Sequence, residues 1–148
     1  MPDSVMSHLT LCVRDLDAST RFYIEAFGFE VTYGRSAGDE FAPLMGMAGF
    51  DVELVMMRKN GFRMELVGYR APAPHARPDT PTNTLGFTHI AFNVPDVDEA
   101  LRRIETHGGT VLADRRVSVT LGGEKRDYAF ATDLDGTRIE VIKGAILG

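Results

Sequence analysis

The second half of this sequence repeats the first, and that duplication limits the folds the chain can adopt. Residues 8–17 match residues 89–98, which lie 81 positions later. Residues 61–67 match residues 136–142, which lie 75 positions later, so the first half has six more residues between its two matched segments. Because two matches in the same order rarely arise by chance, we infer an internal duplication of one structural unit.

Each repeat predicts one β-α-β-β-β module. Apolar and polar residues alternate in the segments that begin at His8 and His89, which is typical of half-buried strands. Asp96 is a suitable helix N-cap, and the apolar residues after it fall on one helical stripe. Three strand candidates follow each helix, so the predicted fold class is α+β. The predicted boundaries are 6–70 for the first module, 71–86 for a Pro-rich linker and 87–144 for the second module.

Two stretches lack a periodic pattern. The linker has four prolines between Ala71 and Thr84 and predicts an extended connection. Residues 36–50 are rich in Gly, Met and Ala and include the six-residue excess of the first half. We interpret this stretch as a segment able to close over a pocket.

The first strand predicted after the second helix lies near Thr110–Ala113.

Composition narrows the functions to be considered. The net charge of −5 argues against a nucleic-acid partner or an anionic membrane. The longest apolar runs are far shorter than a membrane span, and the N-terminal residues lack the pattern of a secretory signal. Cys12 is the single cysteine, so an intrachain disulfide cannot form. We therefore expect a cytoplasmic protein that acts on a small molecule.

Four residues predict a metal site. His8 and His89 open the first strand of each module, and Glu65 and Glu140 lie in the last strand of each module. The residues beside them are apolar, so the four side chains should project from the face opposite the helices, and a pseudo-twofold relation would bring them together. Two imidazoles and two carboxylates suit a divalent ion and leave positions open for water or substrate. The sequence therefore predicts one catalytic divalent metal ion per site, either Zn, Ni, Co, Mn or Fe.

The same residues resemble a known superfamily, that of the vicinal oxygen chelate enzymes. It includes glyoxalase I, methylmalonyl-CoA epimerase, extradiol dioxygenases, fosfomycin-resistance enzymes and bleomycin-binding proteins. The resemblance extends from about Met6 to Lys143. It is carried by the His8-x₄-Val-x-Asp-x-Asp start, the Phe22-Tyr23 helix that ends at Gly28, and the Asp133-x-Asp-Gly-x-Arg-Ile-Glu140 segment.

The resemblance implies a fold and a ligand set. Paired β-α-β-β-β modules would form a cupped, eight-stranded mixed sheet with helices on the outer face and the metal inside, and many members are homodimers. Glyoxalase I-like enzymes are similar to this chain at all four ligand positions. Epimerases usually carry Gln in place of Glu65, and extradiol dioxygenases need only the triad matched by His8, His89 and Glu140. Glu65 therefore favours redox-neutral chemistry.

The predicted function is that of a metal-dependent lyase or isomerase that enolises a carbonyl substrate. Glu140 is the predicted catalytic base, with Glu65 as the alternative. Two other functions remain open, an iron-dependent ring-cleaving dioxygenase and a protein that sequesters an antibiotic or metabolite without chemistry. The substrate is not fixed by the sequence. Five basic residues are candidate anchors for an anionic substrate: Arg35, Arg63, Lys125, Arg126 and Arg138.

Overall fold

The structure is a computed structural model, and it describes residues 3–144. The chain divides into two compact units between His75 and Ala76, and each unit holds one module. The elements of the first unit are β1 (Leu9–Val13), α1 (Leu16–Phe27), β2 (Glu30–Ala37), a 3₁₀ turn (Asp39–Phe41), α2 (Ala42–Met45), β3 (Asp51–Lys59) and β4 (Phe62–Ala71). Those of the second unit are β5 (Ile90–Asn93), α3 (Val97–Thr106), β6 (Thr110–Leu121), β7 (Glu124–Thr132) and β8 (Arg138–Lys143).

Each unit contains one four-stranded mixed sheet. The strand orders are β1-β4-β3-β2 and β5-β8-β7-β6, so the second repeats the first. The first and last strands of each module pair in parallel, and the other neighbours pair antiparallel. The predicted α+β class with two repeated β-α-β-β-β modules is confirmed, and the eight strands form two hydrogen-bonded sheets of four.

The long helix of the second module begins after its predicted N-cap, Asp96, and α1 begins after the equivalent residue, Asp15. The side chains of Asp15 and Asp96 each accept a hydrogen bond from a backbone N–H in the first turn of their helix, at 2.9 Å. The first helix ends at Gly28, whose φ of 72° suits a residue without a Cβ. The two long helices, α1 and α3, each bury an apolar stripe on one face of their sheet. The opposite face carries neither of these long helices, and we call it the helix-free face in that sense.

Residues 38–50 pack on the helix-free face of the first sheet. The 3₁₀ turn and α2 lie in this segment, where the sequence shows no regular pattern. Phe50 is buried there against strand residues Leu54 and Val67, and Phe41 packs on the same cluster. Tyr69 contacts Phe50 at a ring distance of 5.6 Å, and burial raises the pKa of its phenol. The insertion of the first repeat therefore covers part of that repeat's own sheet.

Strand β6 is longer than the sequence predicts. It runs from Thr110 to Leu121, whereas alternation indicated a strand only near Thr110–Ala113. Most of the extension is exposed, and three of its eight residues are charged. Its backbone is held by the ladder to β7 after an irregularity between Val111 and Arg116. Side-chain alternation cannot reveal a strand that is held by backbone hydrogen bonds at a sheet edge. Among residues 3–144, no helix is long and apolar enough to cross a membrane.

Candidate metal-binding site

The first predicted ligand pair lies within the first unit. His8 comes directly before β1, and Glu65 lies in the middle of β4. Glu65 projects from the helix-free face because its neighbours Met64 and Leu66 are completely buried on the other face. His8 Nε2 is 4.0 Å from Glu65 Oε1. The sheet therefore brings these two predicted ligands together.

The second pair repeats this arrangement in the second unit. His89 comes directly before β5, and Glu140 lies in β8 between the fully buried Ile139 and Val141. His89 Nε2 is 3.4 Å from Glu140 Oε2. The imidazole also packs edge-on against the ring of Phe130, with centroids 5.2 Å apart. Both histidines and both glutamates are partly exposed, so a ligand can reach each pair.

A hydroxyl residue precedes each histidine and contacts its second ring nitrogen. Ser7 Oγ lies 2.8 Å from His8 Nδ1, and Thr88 Oγ1 lies 2.8 Å from His89 Nδ1. When Nδ1–H donates to the hydroxyl, the lone pair of Nε2 is free for a metal. Such outer contacts are typical of metal-binding histidines. Ser7 and Thr88 were not predicted as site residues, although they occupy matching positions of the repeat.

The two pairs differ in one hydrogen bond. Thr10 is the register partner of Glu65, and its hydroxyl donates to Glu65 Oε1 at 3.2 Å. The equivalent partner of Glu140 is Ala91, whose methyl group cannot donate. The Glu65 carboxylate therefore has a hydroxyl anchor that the duplicated position in the second module lacks.

The second pair opens into a large cavity within the second unit. Its volume is about 710 Å³, which lies within the usual range for small-molecule sites. His89 and Glu140 line it together with the aromatic rings of Tyr128 and Phe130. Arg116 also lines it, but its guanidinium is paired with Asp98, and that hydrogen bond lowers the pKa of the Asp98 carboxyl. A small molecule bound in this cavity would contact both its apolar walls and the second His–Glu pair.

The predicted ligands are thus paired separately in each unit. Among residues 3–144, no group of three or more His, Cys, Asp or Glu side chains is placed to hold a metal ion. Two donors from each module are present, and the joining of the two pairs into a set of four stays a prediction.

The candidate anion anchors have different surroundings. The guanidinium of Arg35 lies over the ring of Phe41, 5.2 Å from its centroid. Arg63 and Lys125 are exposed, and Arg126 is buried with its Nε lacking a hydrogen-bond partner. Arg138 is largely buried and lines a second, smaller cavity of the second unit. Arg138 is therefore the candidate that combines burial with a cavity.

Comparison with known proteins agrees with this architecture. The pattern of the Glyoxalase/Bleomycin resistance protein/Dioxygenase superfamily matches residues 5–141. Lactoylglutathione lyase from Pseudomonas putida is 29% identical, over 94% of this chain and 84% of that protein. Glyoxalase I from Saccharomyces cerevisiae is 27% identical over 95% of this chain, which spans only 45% of the yeast protein.

Solved structures share the fold. A glyoxalase family protein from Bacillus cereus superposes with a TM-score of 0.78 at 22% identity, covering 97% of both chains. The fosfomycin resistance protein FosX from Listeria monocytogenes, solved with Mn(II) and sulfate, superposes with a TM-score of 0.63 at 22% identity, covering 99% of this chain and 96% of FosX.

Fold and site define a class of duplicated α+β proteins in which each module carries one histidine and one glutamate at equivalent positions. Because the superfamily pattern spans nearly the whole chain, the protein belongs to the Glyoxalase/Bleomycin resistance protein/Dioxygenase superfamily.

Proposed function

We propose that this protein is a divalent-metal-dependent lyase or isomerase that enolises a small carbonyl compound. The observation that carries the proposal is the repeated His–Glu pair, with Nε2–carboxylate distances of 4.0 and 3.4 Å and a hydroxyl on each Nδ1. The similarity to lactoylglutathione lyase and glyoxalase I supports a lyase rather than an oxygen-consuming enzyme.

The residues fit a divalent ion chemically. His8, Glu65, His89 and Glu140 would hold it through two imidazole nitrogens and two carboxylates, whose charges balance that of a dication. When bound, the ion supplies positive charge that polarises a carbonyl oxygen. The proposal covers Zn, Ni, Co, Mn and Fe, because imidazole and carboxylate ligands accept all five.

Glu140 is proposed as the base that removes the proton from the carbon beside the carbonyl group. Its carboxylate lines the 710 Å³ cavity, so a substrate can approach it there. Ala91 leaves this carboxylate without the hydroxyl anchor that Thr10 gives Glu65. A carboxylate that must change position to accept a proton benefits from having one bond fewer to break. Tyr128 and Phe130 would exclude water from the reacting carbon.

The metal proposal is tested by histidine substitution and metal analysis. We expect His8→Ala and His89→Ala to lose most of the bound metal, because each removes a nitrogen ligand. The linker residue His75, which is exposed, provides the matched control His75→Ala. Protein purified without chelator should contain one ion per set of four ligands. Two ions for each His–Glu–His–Glu set, or full occupancy in both ligand variants, would contradict the shared site.

Turnover tests the reaction class. Small hemithioacetals of α-ketoaldehydes, acyl thioesters and catechols are screened with metal-loaded protein under anaerobic conditions. Turnover without oxygen supports the proposal. Oxygen consumption with a catechol would instead assign a dioxygenase, and tight binding without turnover would assign a sequestering protein.

We also propose a cytoplasmic homodimer. The single cysteine, Cys12, is exposed and forms no disulfide, which is compatible with a reducing compartment. Val5, Met6 and Leu44 are large apolar residues that are at least three-quarters exposed, and association would remove such surface from water. Sedimentation at micromolar concentration should show a species of twice the 16.3 kDa chain mass, and a monomer alone would contradict the dimer.

A further inference from the structure

A second cavity of the second unit has the composition of an anion site. Its volume is about 200 Å³, which is below the usual range for sites that hold a whole small molecule. The two titratable residues among its described lining are both arginines, Arg77 and Arg138, in a chain whose net charge is −5. The hydroxyl residues Thr80 and Thr84 also line it, and Phe87 provides an apolar wall. Such a set of donors suits a carboxylate or a phosphate.

Arg138 lacks a close counter-ion within the described part of the chain. Its side chain is only 13% exposed, and its ion-pair contact is Nη2 to Asp79 Oδ1 at 4.0 Å, beyond hydrogen-bond distance. Asp79 is itself fully exposed. By comparison, the exposed Arg102 binds Glu99 at 2.6 Å. A largely buried guanidinium without a close anion is costly, and an entering anion would relieve that cost.

The position of Arg138 relates this cavity to the proposed reaction site. Arg138 and Glu140 are two residues apart in β8 and therefore project from the same face of the sheet. Their Cα atoms are about 7 Å apart at the usual rise of a strand. Thr82 of the linker lines the larger cavity, whereas Arg77, Thr80 and Thr84 line the smaller one. A substrate that occupied both cavities would therefore contact the linker in each of them.

We propose that Arg77 and Arg138 bind the anionic group of the substrate whose carbonyl group is enolised beside Glu140. The substrate class is then a carbonyl compound with a carboxylate or phosphate, and the linker is a substrate-binding segment. This inference rests on the proposed function for the identity of the substrate, but the anion site can be tested without turnover.

The test is a titration of the metal-free full-length chain with inorganic phosphate and, separately, with acetate, followed through amide chemical shifts. We expect saturable shifts at Thr80 and Thr84. Arg138→Gln and Arg77→Gln should each weaken binding about tenfold, because each removes a charge-assisted donor. Asp79→Asn should tighten binding up to about fivefold, because it removes a weak competing anion. Arg102→Gln is the control on an exposed helix and should change nothing.

The outcomes separate the two proposals. Because Arg77 is exposed, its variant should fold even if Arg138→Gln does not. Phosphate or acetate binding that depends on Arg77 supports the anion site, and the tighter of the two ligands identifies the preferred anion. Unchanged binding in both arginine variants overturns this inference even if a carbonyl compound is turned over. If anion binding depends on the arginines but no carbonyl compound is turned over, the anion site is supported and the proposed function is refuted.

With a substrate in hand, matched compounds test the link between the two cavities. One α-ketoaldehyde is converted to two hemithioacetals, one with 3-mercaptopropionate and one with 2-mercaptoethanol. The first compound carries a carboxylate where the second carries a neutral hydroxyl group. Arg138→Gln should raise KM about tenfold for the anionic compound, leave kcat nearly unchanged, and leave the neutral compound unaffected. Equal effects on both compounds would overturn the link.

Discussion

Substituting the residue paired with each glutamate tests which carboxylate moves in the proposed reaction. In the first module Thr10 holds Glu65 through a hydrogen bond of 3.2 Å, and in the second Ala91 occupies the same register position beside Glu140. Ala91→Thr should place a hydroxyl beside Glu140. Ala91 is exposed in a strand, so a β-branched side chain fits there without displacing core residues.

The size of the effect follows from the geometry of the Thr10 bond. A hydrogen bond to a charged group contributes about 1.5–3 kcal/mol. The Thr10–Glu65 hydrogen bond is long, at 3.2 Å, and the two glutamate side chains are partly exposed, 14% for Glu65 and 19% for Glu140. We therefore assign a hydrogen bond at this position a free energy of about 1–1.5 kcal/mol, at or below the lower end of that range. If Glu140 must leave this bond to accept the proton, the rate falls about 5–12-fold, since about 1.4 kcal/mol corresponds to a factor of ten.

The assay is incorporation of solvent deuterium at the substrate α-carbon, measured with metal content and thermal stability. Ala91→Thr should slow exchange while the protein keeps its metal and its melting temperature. Thr10→Ala is the matched control and should leave exchange nearly unchanged, because it frees a carboxylate that does not carry the proton. The reasoning is refuted if Thr10→Ala alters exchange strongly and Ala91→Thr does not, because the base would then be Glu65.

Three further substitutions test the site, the insertion and the surface charges. Glu140→Gln should retain much of its metal, because the amide oxygen still binds, yet lose about 10²-fold in exchange rate; wild-type exchange would exclude Glu140 as the base. Phe50→Ala should lower the free energy of unfolding by about 3 kcal/mol in guanidinium chloride, whereas Leu44→Ala, at an exposed position, should lower it far less. Arg116 lowers the pKa of Asp98, so the contribution of this pair to stability is present above the ordinary Asp pKa and is lost as pH falls through the lowered value. In Arg116→Gln the NMR titration midpoint of Asp98 should rise, and an unchanged midpoint would contradict the pairing.

The sequence predicts most of the fold because the duplication allows each weak pattern to be read twice. The apolar neighbours of Glu65 and Glu140 indicate which face each glutamate occupies, and a strand with one buried face fixes that choice. The bond from Thr10 to Glu65 depends on the parallel pairing of β1 with β4. Pairing between strands that are distant in sequence cannot be deduced from alternation alone, so the contrast with Ala91 was not predicted.

The linker illustrates a second limit of sequence reasoning. Its prolines predict an extended chain, but they do not indicate which surface that chain follows. The contact between Asp79 and Arg138 and the cavity beside Phe87 depend on the path of the linker along β8. Arg138 could be recognised as a candidate anchor from its residue type, whereas its burial could be seen only in three dimensions.

The differences between the two modules fit different proposed roles for their two glutamates. In the first, residues 38–50 cover part of the helix-free face, and Thr10 anchors the glutamate. In the second, the glutamate lacks that anchor and lines an open cavity. A base needs room to move and a substrate to meet, whereas a ligand that only holds a metal benefits from being fixed. Duplication supplies two equivalent carboxylates. Under the proposed function, the Thr-to-Ala difference between the modules, together with one insertion, would make Glu65 a fixed ligand and Glu140 the reactive group.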